Sequence, residues 1–116
     1  MRTEPSSLAE IQIAHKHDAS SNADAAVTIA ADVDHIHVID RIFWSYSGTP
    51  TAGRLTVSVG GTVVFDHDIR TAGPGFFPFR NAQDEGLYGS SKNQAVVVTL
   101  YAGASGVTGK LTVFYR

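Results

Sequence analysis

Five histidines and several close aspartates are the residues of this 116-residue chain best suited to chemistry. His15-Lys16-His17 and His35-Ile36-His37 are both His-x-His pairs. On a β-strand, residues i and i+2 point the same way, so both imidazoles of a pair can reach one metal ion. Asp66-His67-Asp68 forms a third cluster, and Asp32 and Asp34 a further carboxylate pair of the kind that holds Ca²⁺ in a loop. Read more plainly, the histidines line a solvent-facing or subunit-facing surface and the aspartates are solvated strand ends.

The surrounding sequence favours the plain reading. A jelly-roll metalloenzyme of the cupin type needs a glutamate at a set distance after its His-x-His and a later histidine. No such glutamate follows His37, and no histidine follows His67. No serine sits in a Gly-x-Ser-x-Gly elbow. There is no cysteine, which removes disulfides, thiolate metal sites and thiol nucleophiles. The expectation is no catalytic residue, no metal, no cofactor and no enzyme activity. With 9 basic and 11 acidic residues the net charge is −2, so no basic surface for nucleic acid is expected. No apolar run approaches the roughly 20 residues that span a bilayer. No apolar signal core follows Met1-Arg2-Thr3-Glu4-Pro5, which predicts a chain made and used without export.

Strands separated by glycine-rich turns must carry whatever these residues do. Arg54-Leu55-Thr56-Val57-Ser58-Val59, Gly60-Gly61 and Thr62-Val63-Val64-Phe65 read directly as a hairpin. Two glycines supply the positive φ angles of a tight turn, and Leu55, Val57 and Val59 share one face. Further strands are predicted over 10–14, 25–31, 35–45, 94–101 and 110–115. The alternation over 35–46 puts Ile36, Val38, Ile42, Trp44 and Tyr46 on one face, and Asp40 interrupts it, so a bulge or bend is expected there. The segment 94–101 is apolar on both parities and is expected to be central and covered on both sides. Residues 15–24 and 71–75 read as a loop and a turn. Proline inside Phe76-Phe77-Pro78-Phe79 places that segment at a sheet edge or in an extended loop.

Seven or eight strands at this spacing predict an all-β, jelly-roll-like antiparallel β-sandwich. Residues 1–24 are read as an extended N-terminal arm and loop, and 25–116 as the sandwich domain. Phe76, Phe77 and Phe79 cannot all point inward, so at least one is expected at an interface. Leu8, Ile11 and Ile13 of the arm join them as candidates for subunit or capsid contact. Trp44 is assigned to the core and Tyr46 is left open. With Tyr88 the two are also the candidates for a ligand platform.

From Ile36 to Tyr115 the order of segments resembles small jelly-roll virion proteins of tailed bacteriophages. The resemblance rests on Trp44-Ser45-Tyr46-Ser47-Gly48, the 55–57 and 63–65 hairpin, the segment 96–103 and the closing Gly109-Lys110-Leu111-Thr112-Val113. It implies a capsid decoration (cement) protein, found on the virion surface after synthesis in the host cytoplasm. Its implied partners are the major capsid protein and two further copies of itself, with no nucleic acid and no membrane. The tumour necrosis factor-like jelly roll is a second comparison and also implies a trimer. The alternative is a carbohydrate- or receptor-binding module of a phage tail or fibre.

Overall fold

The computed structural model describes residues 14–34, 36–79, 87–88 and 92–116. The strands are β1 (Ala14–Ser21), β2 (Ala25–Ile29), β3 (Val38–Tyr46), β4 (Gly53–Val59), β5 (Thr62–Ile69), β6 (Gly73–Pro78), β7 (Leu87–Tyr88), β8 (Val96–Leu100) and β9 (Thr108–Tyr115). Sheet A has the order β1-β9-β3-β6, with β7 pairing with the start of β3, and sheet B the order β2-β8-β4-β5. Every pairing is antiparallel. Successive strands alternate between the sheets except at the β4–β5 hairpin and at β7. Two interleaved sheets of this kind, one of five strands and one of four, make a jelly roll.

Strands β2, β3, β4, β8 and β9 each contribute an apolar face to the slab between the sheets. Val27 and Ile29, Leu55, Val57 and Val59, and Val96, Val98 and Leu100 come from sheet B. Ile42, Trp44 and Tyr46 meet them from β3, with Leu111 and Val113 from β9. The hairpin turn forms on Gly60 and Gly61 at φ 57° and 87°, a backbone that side chains with a Cβ rarely adopt. Strand β8 is central, but only Val96, Val98 and Leu100 are fully buried. Val97 and Thr99 are half-exposed, so the second face is not sealed as the apolar run predicts.

The bulge in β3 lies at Asp40, where the pairing with β9 shifts between Ile39 and Arg41. One extra residue switches strand parity, so Ile39 and Ile42 are both buried. Asp40 is buried too. Its carboxylate accepts from Arg116 Nε at 3.0 and 3.2 Å, and its carbonyl accepts from the Phe79 N–H at 2.9 Å. Val38 and Arg116 exchange backbone hydrogen bonds beside it at 2.8 and 2.9 Å.

Three sequence expectations are corrected. Residues 14–21, read as the end of an arm and a loop, form β1 and pair with β9 along its length, so the sandwich includes them. Strand β1 is polar on both faces because its inward residues serve the edge of β2. Lys16 donates to the Thr28 carbonyl at 3.1 Å, and Asp18 accepts from the Ala26 N–H at 3.0 Å. The long strand begins at Val38, not at residue 35, and β6 begins inside the expected turn, at Gly73.

At the opposite edge, Phe65 and His67 of β5 pack against Phe77 of β6, with ring centroids 4.9 and 5.2 Å apart. The Trp44 indole lies against Gly75, where a Cβ would collide with Cε2, Cζ2 and Nε1 of both indole rings. We expect Gly75→Ala to destabilise the fold by roughly 1–3 kcal/mol through overpacking, read by urea denaturation. We expect Arg116→Ala to cost about 3–5 kcal/mol, because it strands the buried Asp40 carboxylate.

Candidate functional site: the outer face of sheet A

Outward residues of sheet A fall into three rows across four strands, as the pairing register requires. His15, Phe114, Arg41 and Pro78 form the first row. His17, Thr112, Phe43 and Phe76 form the second, and Ala19, Lys110, Ser45 and Pro74 the third. The two outer strands are edges, and prolines on β6 leave fewer N–H groups for an added strand.

An aromatic stripe runs diagonally through this grid. Phe43 stacks on Phe76 at 4.6 Å between centroids and meets Phe114 edge-on at 5.7 Å. His15 continues the stripe 5.7 Å from Phe114, and the Arg41 guanidinium lies 4.9 Å above the Phe114 ring. Phe43 is 40 % and Phe76 48 % exposed. A shallow groove beside Phe43 is floored by Gly75 and bordered by Pro74, Lys110 and Thr112. The grid holds four cationic or protonatable residues, Arg41, Lys110, His15 and His17, and no carboxylate.

The structure separates the three phenylalanines of the 76–79 segment. Phe76 faces solvent, while Phe77 and Phe79 are half-buried against the core and contact each other at 5.7 Å. Trp44 lies in the core as assigned, and Trp44 and Tyr46 are corrected as platform residues. They are 9 % and 3 % exposed, on the inner side of β3. The Tyr46 hydroxyl donates to the Tyr101 carbonyl at 2.6 Å, and burial raises its pKa above the usual phenol value. Tyr88 belongs to β7, and its side chain lies outside the described residues, as do Leu8, Ile11 and Ile13. Sequence reasoning missed Phe43 and Phe114. Their signal was parity: each is the large outward residue of a strand whose inward residues are aliphatic or aromatic.

The described histidines do not converge on one point, and His35 lies outside the described residues. His15 and His17 lie in neighbouring rows of the outer face, His67 packs in the β5–β6 edge, and His37 Nε2 lies 2.6 Å from the Ala30 carbonyl. Among the described residues no three His, Cys, Asp or Glu side chains gather as a metal site. The outer face of sheet B differs from that of sheet A. Arg54 donates to both Asp66 oxygens at 2.8 and 2.7 Å and lies 5.1 Å from the Tyr101 ring centre. These bonds hold the Asp66 carboxyl below its ordinary range. A shallow groove there is bordered by Arg54, Asp66 and Asp68.

No protein-family model matches the chain, and no curated protein matches it in sequence. Solved structures share its fold. A family-36 carbohydrate-binding module in complex with calcium and xylotriose superposes with a TM-score of 0.50 at 11 % identity, covering 84 % of this chain and 76 % of that one. A module of the same family, from a multidomain xylanase of the Trinervitermes trinervoides hindgut metagenome, gives 0.43 at 11 % identity over 85 % and 73 %. A de novo designed double-stranded β-helix gives 0.41 at 11 % identity over 87 % and 97 %. At 11 % identity the likeness to the first of these, read with the strand order of the two sheets, shows the fold alone.

Exposure separates stability from surface function here. Phe43→Thr and Phe76→Ser are expected to change stability by less than about 1 kcal/mol. Leu111→Ala, at a fully buried inner position of the same sheet, is expected to cost roughly 2–5 kcal/mol. Urea titration followed by Trp44 fluorescence compares them directly. Equal losses at the exposed and buried positions would contradict this placement.

Proposed function

We propose that this protein is a structural binding module that decorates a phage capsid as a homotrimer, holding adjacent major capsid subunits through added interface area. The exposed aromatic stripe of sheet A is the observation that carries this reading. Apolar side chains left together on an otherwise polar surface mark a protein-binding face. The rings stack on and abut one another, which suits packing against protein side chains better than a flat sugar ring. Phenylalanine also lacks the hydroxyl or N–H that usually orients a sugar. Arg41 and Lys110 at the margins supply hydrogen-bond donors and set orientation. A trimer engaging several sites at once strengthens modest contacts by effective concentration.

The N-terminal segment is the second element of this reading. Residues 1–13 precede β1, so their removal takes away no residue of a described strand. Deletion of 1–13, with the melting temperature as folding control, is expected to lower co-sedimentation with shells of the major capsid protein from the same genome. Undiminished co-sedimentation would remove the arm from the account, and no co-sedimentation of the full chain would overturn the decoration reading.

A second reading is a carbohydrate-binding module. Its support is the fold shared with a xylotriose-binding module and the Tyr101 ring beside Arg54, Asp66 and Asp68 on sheet B. Glycan-array binding that is lost in Tyr101→Ala would favour it over decoration.

A further inference from the structure

The end of the sandwich where β4 starts and β8 ends is built wholly of described residues, from the loops 22–24, 47–52, 70–72 and 101–107. Hydrogen bonds tie three of these loops together. The Gly103 carbonyl accepts from the Thr51 and Ala52 N–H groups at 2.9 and 3.1 Å and from the Thr51 hydroxyl at 3.2 Å. Asn22 Oδ1 accepts from the Gly106 N–H at 2.6 Å, and Asp24 Oδ1 from the Ala102 N–H at 2.8 Å. Between the loops lies a cleft of about 380 Å³, bordered by Asn22, Thr51, Ala52, Ala102 and Ser105. Small-molecule sites run from roughly 300 to 1,000 Å³.

This cleft adjoins the groove on sheet B. Ala52 borders the cleft and Arg54 the groove, with Gly53 alone between them. Tyr101, next to Ala102 in sequence, donates its N–H to the Arg54 carbonyl at 2.9 Å. Along the groove Arg54 pairs with Asp66 at 2.7 Å and Arg70 with Asp68 at 3.3 Å. These two ion pairs balance, so they select neither an anion nor a cation. Arg54 commits Nε and Nη2 to Asp66, and a guanidinium has further N–H donors beyond those two bonds. An ionised carboxylate likewise accepts more than one hydrogen bond. Hydroxyls both donate and accept, so a neutral polyhydroxyl ligand satisfies both partners at once. The half-buried Tyr101 ring, 5.1 Å from the guanidinium, adds an apolar surface for the C–H face of a sugar ring. Beyond it the cleft offers amide and hydroxyl groups from Asn22, Thr51 and Ser105 between alanine methyls.

We propose that this end of sheet B binds a linear neutral oligosaccharide, one ring beside Tyr101, Arg54 and Asp66 and the following rings in the cleft between Ala52, Asn22 and Ser105. The inference rests on the carbohydrate-binding reading above. It takes no residue from the aromatic stripe, which lies on the opposite side of the sandwich. The full-length chain is screened on an array of neutral, sialylated and sulfated linear glycans. Calorimetric titration then uses a ladder of the best-bound neutral glycan, from the single sugar to the hexamer. Affinity is expected to rise by about tenfold or more from the single sugar to the trimer. Ala52→Trp, which fills the cleft, is expected to remove that gain and leave single-sugar affinity unchanged. Asp66→Asn is expected to lower affinity about tenfold at every length. Melting temperature is the folding control for both variants. Equal affinity at every length, or a length gain kept in Ala52→Trp, would overturn the extended site and leave the carbohydrate reading in place. Binding to sialylated or sulfated glycans alone would overturn the neutral ligand. Binding to no glycan would overturn the inference and the carbohydrate reading together, with capsid co-sedimentation read separately.

Discussion

The bulge at Asp40, locked by Arg116, fixes the surface of sheet A. A strand with a strict two-residue period would put Ile39 on the face opposite Ile42. The extra residue brings both inward and leaves Arg41, Phe43 and Ser45 outward. It also buries a carboxylate, which needs a cation and hydrogen bonds beside it. Arg116 supplies the cation, and its backbone pairs with Val38. The same few contacts set the β3–β9 register, and that register places Phe114 diagonal to Phe43.

Closure of the two edges follows a different logic at each side. At β1–β2 the seam is polar, with Lys16 and Asp18 capping the backbone edge of β2. At β5–β6 it is aromatic, with Phe65, His67, Phe77 and Phe79 filling the gap beside Trp44. The polar seam needs little apolar surface, so the outer face of sheet A can carry aromatics as a local feature rather than as overflow from the core.

Much of this was legible in the residues. The Gly60-Gly61 hairpin, the inward Leu55, Val57 and Val59, and the bulge at Asp40 all followed from turn chemistry and parity. Strand β1 was hidden because pattern reading needs one apolar face, and β1 has none. Its pairing is specified by β9 and its inward side chains by the edge of β2, both distant in sequence. Trp44 was placed in the core from its parity, whereas Tyr46, left open by the sequence, is placed there by the structure. The aromatic stripe was hidden because its members come from three strands whose adjacency is a property of the jelly roll.

Amide hydrogen exchange on the chain bound to capsid shells, compared with the dilute free chain, tests the proposed binding role of the outer face of sheet A. Binding through that face is expected to add protection in β1 and β6, its bordering edges, with the edge strands β2 and β5 of sheet B unchanged. Protection confined to β2 and β5 would contradict it and move the working surface to sheet B.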